Sequence, residues 1–242
     1  MTDEMLAREA GHAGDACEAS GREPGLYPPI LLIRHGETQW NRQGRLQGRR
    51  DAPLTLNGMR QCLAVAATVD AHMRTLPGDV CFWVSPLGRA RQTASILADC
   101  WQIGFDRFIE APDIAERAYG AWEGSTLSDV ETDRPEEFRQ HAADPWGYRV
   151  PGGESKDELF ARIEGWLDGL DPHQAHVVVT HSGCFRAIRA LCTGASRAAT
   201  EAYREPQTTA FLLQSGSERE VAPPTALLQA FGVGGSGRTV EI

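Results

Sequence analysis

Short, continuous hydrophobic runs recur along the chain and are separated by longer segments in which hydrophobic residues follow a helical spacing. A continuous run is typical of a strand that is buried on both faces, and intervals of three and four residues predict an amphipathic helix. The predicted strands lie at residues 30–33, 79–84, 108–109, 176–180 and 208–213. The predicted helices cover residues 59–73, 87–97, 159–170 and 184–192.

This alternation of strands and helices predicts the α/β fold class. Strands that are hydrophobic throughout need cover on both faces, so we expect a three-layer α/β/α sandwich with a largely parallel central sheet. We find no internal repeat and no linker within this unit. The predicted organisation is a flexible N-terminal tail at 1–27, one domain at 28–214 and a C-terminal extension at 215–242.

Composition narrows the classes of partner and compartment. The 242 residues carry a formal net charge of -9, and nucleic acids and anionic membranes bind basic surfaces, so neither is an expected partner. No stretch approaches 18 apolar residues, and the N-terminus lacks the basic and apolar pattern of a signal peptide. The six cysteines form no C-x-x-C pair, which indicates reduced thiols and a cytoplasmic protein.

Polar residues with a capacity for anion chemistry follow three of the predicted strands. Arg34 and His35 follow the first strand, Ser85 and Arg89 follow the second, and His181 follows the strand at 176–180. A single histidine at a strand end is more often structural than functional. Because ligands of parallel sheets gather at the carboxyl ends of the strands, three such ends together predict a functional site.

The second of these strand ends carries a helix start. Ser85 is a favourable N-cap and Pro86 a favourable first helical residue, which would place Arg89 and Arg91 in the first two turns. Cations are disfavoured there by the helix dipole, and a bound anion would offset the repulsion. Two solvated arginines that reach surface carboxylates explain this pattern equally well.

Five segments of the chain carry a family resemblance when they are taken in order. They are LIRHGETQWN, GRLQGRRDAPLTLNG, SPLGRARQTA, AERAYGAWEG and VTHSG. Over about residues 29–213 the sequence resembles the histidine phosphatase superfamily, also called phosphoglycerate mutase-like. The resemblance implies the phosphoglycerate mutase-like fold and an enzyme that transfers a phosphoryl group through a histidine.

The resemblance also implies a role for each matching residue. His35 is expected to take the phosphoryl group, and Glu116 to protonate the leaving oxygen. Arg34, Arg89 and His181 are expected to form the cationic pocket around the phosphate. Further substrate or phosphate contacts are expected from Asn41, Gln47, Arg117 and Ser182, the last at a position where many members have glycine.

The chemistry of phosphoryl transfer agrees with these roles. A neutral imidazole can attack phosphorus at pH 7 if its other nitrogen is held by an acceptor such as a backbone carbonyl. Two arginines and a protonated histidine match the two charges of a phosphate monoester. Glu116 can donate a proton only if burial or the approaching phosphate favours its protonated form. Neither a metal nor a cofactor is required, and the expected partner is a small-molecule phosphate ester.

Several alternatives stay open at this point. The residues also suit a cofactor-dependent phosphoglycerate mutase or a non-catalytic phosphate-binding module, whereas the arginines argue against a metal site at His35 and His181. We favour hydrolysis, because the stretch 117–153 is too short for a long loop that would keep water from the intermediate. Within that stretch, Trp122 and Trp146 either line a substrate cap or only pack it. The substrate and the oligomeric state are not predicted.

Overall fold

A six-stranded sheet forms the centre of the computed structural model, which describes residues 27–76 and 78–234. The strands are β1 (Ile30–Arg34), β2 (Val80–Val84), β3 (Phe108–Glu110), β4 (Ala175–Thr180), β5 (Ala210–Gln214) and β6 (Ser217–Val221). Their order across the sheet is β3-β2-β4-β1-β5-β6. The first four strands pair in parallel, and β5 runs antiparallel to both of its neighbours. The prediction of a largely parallel sheet is therefore confirmed.

Helices pack on both faces of this sheet and form a cap above one edge. The helices are α1 (Gln39–Gln43), α2 (Leu56–Met73), α3 (Gly88–Trp101), α4 (Leu127–Asp133), α5 (Pro135–Ala143), α6 (Lys156–Asp168), α7 (Ser182–Thr193), α8 (Arg197–Ala202) and α9 (Thr225–Phe231). Short 3-10 turns lie at Phe105–Arg107, Pro112–Ile114 and Gly120–Trp122.

The side chains of the inner strands β1, β4 and β5 alternate between two hydrophobic clusters, one on each face of the sheet. Leu32 of β1 shares a buried cluster with Ile163 of α6 and Phe185 of α7. Its neighbour Leu31 belongs to the opposite cluster, which includes Leu97 of α3. A strand that packs on both faces has no polar side, which is why β1 reads as a continuous hydrophobic run. The expected three-layer sandwich is confirmed.

The registers of three parallel strands bring the predicted functional residues to one edge of the sheet. Arg34 of β1 is paired with Thr180 of β4, and the backbone N–H of His35 donates to the Thr180 carbonyl at 3.0 Å. The Ser85 N–H donates to the Val179 carbonyl at 3.1 Å. The three strands therefore end at the same level, and the residues that follow them lie side by side.

The predicted start of α3 is wrong. The helix begins at Gly88 with Leu87 as its N-cap residue, so neither Ser85 nor Pro86 has the role that their sequence favours. Ser85 Oγ accepts a hydrogen bond from the Leu87 N–H at 3.3 Å and lies 2.6 Å from His181 Nε2. The contact with His181, which is distant in sequence, therefore replaces the local capping interaction.

The cap region between β3 and α6 has a small core of its own. Trp122 is fully buried there with Leu46, Val130 and Val150, so it packs the cap and does not line a substrate surface. Trp146 has a different environment, since it lies against Phe160 with a ring separation of 4.9 Å. The two tryptophans that the sequence left undecided therefore differ in position.

One strand of the sheet lies beyond residue 214, the predicted C-terminal end of the domain. β6 lies inside the predicted C-terminal extension, yet it pairs with β5 along its whole length and so extends the sheet. The predicted tail at 1–27 lies outside the described residues except for Tyr27, which is buried. Within the described ranges, every helix is too short or too polar to cross a membrane.

Candidate active site

The ends of β1, β2 and β4 surround a cleft of about 410 Å³, its open mouth included, which we call the edge cleft. Two of the nine predicted site residues are placed differently from the rest. His181 lies behind the cleft with its ring 5.2 Å from that of His35, and Arg117 lines a neighbouring cleft. The other seven line the edge cleft: Arg34, His35, Asn41, Gln47, Arg89, Glu116 and Ser182.

The His35 ring is held in one tautomer. Its Nδ1 lies 2.7 Å from the carbonyl oxygen of Gly36, and a carbonyl can only accept, so Nδ1 carries the proton. The lone pair is then on Nε2. Burial, together with the charges of Arg89 and Arg34, holds the pKa of His35 well below its usual value. The imidazole is therefore neutral and can act as a nucleophile at pH 7.

Arg89 is positioned by the loop that precedes α2. Its guanidinium donates to the carbonyls of Gly48 at 2.8 Å and Arg50 at 2.9 Å, and it pairs with Asp51 at 2.8 Å. The side chain is almost fully buried. Arg91, two residues further along α3, instead pairs with Glu110 at the surface, so the expectation of a shared anion site applies to Arg89 alone.

Arg34 is positioned by a residue that the sequence did not indicate. One guanidinium nitrogen lies 3.2 Å from both the backbone carbonyl and the carboxylate of Glu205. The same carboxylate accepts from Arg186 Nε at 2.9 Å and from the Ser182 hydroxyl. Although burial acts to raise it, the arginines Arg34 and Arg186 hold the pKa of Glu205 below its usual value. Glu205 therefore remains a charged link beneath the cleft.

His181 is neutral in this structure, whereas a protonated histidine is expected once a phosphate monoester is bound. Burial comes first among the causes, and Arg89, His35 and Arg34 add to it, so the pKa of His181 lies well below its usual value. Its Nε2 contacts Ser85 Oγ, and its Nδ1 has no hydrogen-bond partner among the described residues. An anion in the cleft would supply the negative charge that the protonated ring needs.

Glu116 meets the amino end of α7. Both of its carboxylate oxygens lie 3.2 Å from the Gly183 N–H, and Oε1 accepts from the Arg117 N–H at 2.8 Å. The side chain is buried but still lines the edge cleft. These backbone contacts leave the carboxyl group in the same cleft as His35, where it can exchange a proton with a bound molecule.

Asn41 and Gln47, the remaining predicted residues, contribute polar side chains to the lining of the edge cleft. The Asn41 side chain accepts from Thr38 N at 3.0 Å and from Gln207 Nε2 at 3.2 Å, and Gln207 also donates to the His35 carbonyl. Gln47 Oε1 is buried without a hydrogen-bond partner among the described residues. The sequence does not indicate Gln207 and Glu205, because both lie in the irregular segment between α8 and β5, which carries no recognisable motif.

The composition of the cleft decides which chemistry it suits. Arg34 and Arg89 present positive charge to a space that also holds a neutral imidazole and a carboxyl group. This is the donor set for a phosphate dianion, not for a cation. Among the described residues, no group of three or more His, Cys, Asp and Glu side chains is placed to hold a metal ion.

Comparison with known proteins agrees with this geometry. The sequence profile of the histidine phosphatase superfamily (branch 1) matches residues 30–221. The metal-independent phosphoserine phosphatase of Arabidopsis thaliana is 34% identical over 176 residues, which are 70% of each chain. Phosphoserine phosphatase 1 of Hydrogenobacter thermophilus is 30% identical over 169 residues, covering 68% of this chain and 76% of that protein.

The solved structures that this chain resembles include a phosphoglycerate mutase. The crystal structure of phosphoglycerate mutase from Thermus thermophilus is 29% identical, with a TM-score of 0.56 and coverage of 76% of this chain and 91% of that chain. The expected phosphoglycerate mutase-like fold is confirmed by this likeness. The profile match spans most of the chain and contains all five motif segments, so this protein belongs to branch 1 of the histidine phosphatase superfamily.

Proposed function

We propose that this protein hydrolyses phosphate monoesters through a phosphohistidine on Nε2 of His35. The observation that carries the proposal is the hydrogen bond from Nδ1 to the Gly36 carbonyl, because it leaves the Nε2 lone pair available in a cleft that is walled by Arg34 and Arg89. The family membership supports the same reaction. Phosphoryl transfer depends mainly on positioning and charge neutralisation, and the described site supplies both.

The first step transfers the phosphoryl group to the enzyme. The phosphate oxygens bind the two arginines, and their negative charge favours protonation of His181. The Nε2 lone pair of His35 forms a bond to phosphorus while the ester P–O bond breaks. The electron pair of that bond stays on the leaving oxygen, which takes a proton from Glu116. The Gly36 carbonyl continues to accept from Nδ1 and stabilises the positive charge of the phosphorylated ring.

The second step returns the enzyme to its starting state. A water molecule occupies the place that the alcohol has left, beside the Glu116 carboxylate. Glu116 accepts one proton from the water as its oxygen bonds to phosphorus, and the P–N bond to His35 breaks with its electron pair returned to Nε2. Inorganic phosphate then leaves the cleft. No step requires a metal ion or a cofactor.

The structure of the cap supports hydrolysis over isomerisation. A mutase has to keep its phosphohistidine away from water while the bound intermediate reorients in the site. Here the segment between Glu116 and α6 forms the short helices α4 and α5 around the core of Trp122, and the edge cleft opens to solvent. The likeness to a phosphoglycerate mutase makes isomerisation the second candidate function.

The partner and the compartment follow from the same proposal. We propose a small-molecule phosphate ester as substrate, because a cleft of about 410 Å³ lies near the lower end of the range for ligand sites. We also propose the cytoplasm as the compartment. Five cysteines are described, and all of them are free thiols, which a reducing compartment maintains.

Rapid-quench labelling with a ³²P-phosphate ester tests the proposal. An acid-labile, base-stable phosphoenzyme should accumulate, and it should disappear in His35→Ala. His173→Ala, which removes an exposed histidine that precedes β4 at the end of the strand opposite to the cleft, should label like the wild type. A full phosphoenzyme signal in His35→Ala would contradict the assignment. Incubation with 3-phosphoglycerate and a 2,3-bisphosphoglycerate primer separates the two functions, since a mutase would form 2-phosphoglycerate with little phosphate release.

A further inference from the structure

A carboxylate of the cap accepts three backbone hydrogen bonds. Glu123 follows the short 3-10 turn Gly120–Trp122, and its side chain reaches the loop that precedes α2. Its Oε1 accepts from the Arg49 N–H at 2.9 Å and from the Tyr119 N–H at 3.1 Å, and its Oε2 accepts from the Arg50 N–H at 3.2 Å. Convergent backbone N–H groups hold an anion firmly, so the carboxylate is fixed at this point.

The same loop holds Arg89 from its opposite side. The Arg89 guanidinium donates to the Gly48 carbonyl at 2.8 Å and to the Arg50 carbonyl at 2.9 Å. The Gly48 carbonyl and the Arg49 N–H belong to one peptide unit, which is planar and trans, so they point in opposite directions. Glu123 therefore accepts from one end of this peptide unit, while the other end accepts from Arg89.

This arrangement lets Glu123 act on the edge cleft through a rigid group. An N–H that donates to a carboxylate polarises its own peptide unit, and the carbonyl oxygen becomes a better acceptor. Because the unit is planar, a fixed N–H also fixes the direction of the carbonyl and the position of the guanidinium bound to it. Arg89 lines the edge cleft, and a misplacement of about 1 Å in such a group can lower the rate about 10²-fold.

Gly48 allows the Glu123 carboxylate to approach the loop. Its φ of 56° is in the left-handed region, and a Cβ at this position would collide with Glu123 Oε1. Two backbone hydrogen bonds hold the cap against the same loop: Leu46 donates to the Ser125 carbonyl at 2.9 Å and accepts from the Gly124 N–H at 2.8 Å. The conformation of the loop is therefore matched to the carboxylate.

We propose that Glu123 is a positioning residue for phosphoryl transfer, which places Arg89 against the phosphate through the peptide unit between Gly48 and Arg49. The inference rests on the proposed phosphatase reaction. It makes the cap a part of phosphate binding, since the carboxylate comes from the cap and the arginine from α3. Glu123 does not itself line the edge cleft, so its effect on a bound phosphate passes through the loop.

A double-mutant cycle tests the inference. Glu123→Ala removes all three acceptor contacts and should lower kcat/KM for p-nitrophenyl phosphate about 10- to 100-fold. In an Arg89→Ala background the same change should cost about twofold or less, because the group that it positions is absent. Arg34 is held by Glu205 and not by this loop, so in an Arg34→Ala background Glu123→Ala should still cost about tenfold or more.

Two further variants separate positioning from a general effect on the cap. In Glu123→Gln the amide oxygen can replace Oε1 and accept from Arg49 and Tyr119, so only the contact with Arg50 is lost and kcat/KM should fall about threefold or less. Glu131→Ala removes an exposed carboxylate of α4, in the same cap, and should behave like the wild type.

Binding of inorganic phosphate provides a measurement that does not depend on turnover. Calorimetric titration should give a Kd about tenfold higher in Glu123→Ala than in the wild type, and an unchanged Kd in Glu131→Ala. Where Glu123→Ala fails to fold, Glu123→Asp replaces it in both measurements, because its shorter side chain withdraws the carboxylate from the loop, and the losses should have the same direction.

The possible failures are distinguishable. A lower Tm with an unchanged Kd for phosphate would show a role in stability alone and would overturn the inference. An equal loss of kcat/KM in the wild-type and Arg89→Ala backgrounds would overturn it as well. If the wild type hydrolyses no ester but phosphate binding depends on Glu123 as expected, the proposed function is wrong and the positioning of Arg89 is supported.

Discussion

Glu205 allows a prediction in which the stability of the protein and its affinity for phosphate change in opposite directions. Its carboxylate has no solvent exposure, and it lies 3.2 Å from Arg34 and 2.9 Å from Arg186. In Glu205→Gln the side chain keeps its shape, but its amide NH₂ group faces a guanidinium. Arg34 and Arg186, both buried, then lose the carboxylate with which they are paired.

The magnitude follows from the burial of this network. Breaking a buried ion pair by removal of one partner costs about 3–5 kcal/mol, and the amide oxygen retains part of the hydrogen bonding, so we expect about 3 kcal/mol. For a chain of this length that corresponds to a fall in Tm of roughly 6–12 °C. Glu136→Gln breaks an exposed pair with Arg139 and should cost about 1 kcal/mol or less.

The pH dependence has a defined sign. The pKa of Glu205 is lower in the folded protein than in the unfolded chain, so its stabilisation is fully present above the unfolded value of about 4.3. The stabilisation is lost as the pH falls through the lower, folded value. The difference in unfolding free energy between wild type and Glu205→Gln should therefore be constant near pH 7 and should shrink below about pH 4.

Urea unfolding at several pH values measures this difference, and inhibition by inorganic phosphate measures the second effect. In Glu205→Gln no carboxylate at this position neutralises Arg34, so the edge cleft should bind phosphate more tightly. The reasoning is refuted if the variant loses less than about 1 kcal/mol at pH 7, the level of an exposed pair, or if phosphate becomes a weaker inhibitor in a protein that is still folded.

Three further predictions concern the reaction. Arg89→Ala should lower kcat/KM by about 10² to 10⁴, while Arg91→Ala, whose side chain pairs with Glu110 at the surface, should be nearly neutral; near-normal turnover in Arg89→Ala would contradict the phosphate role. Glu116→Gln should impair alkyl phosphates far more than p-nitrophenyl phosphate, because a phenolate leaves without a proton, and equal losses would indicate a binding role. Ser85→Ala should lower kcat about tenfold and Tm by roughly 2–4 °C, because it removes the contact that orients the His181 ring and leaves a buried ring nitrogen without its partner, at a cost of about 1 kcal/mol; unchanged kcat would show that the ring is held by packing alone.

The strands and the three strand ends could be predicted because their signal is local. A strand buried on both faces is a continuous hydrophobic run, and parallel registers bring its end to the same edge as its neighbours. β6 was missed for the opposite reason. Its sequence, SEREV, is mostly exposed and charged, which is typical of an edge strand that is protected from pairing with other chains.

Residues whose role depends on distant partners could not be predicted in this way. Ser85 has the local signature of a helix cap, but a histidine 96 positions away takes its hydroxyl group instead. Glu205 shows no pattern at all, because its partner Arg34 is 171 residues away. Such side chains are recognised only when the fold brings both partners together, since neither partner alters the periodicity of its own segment.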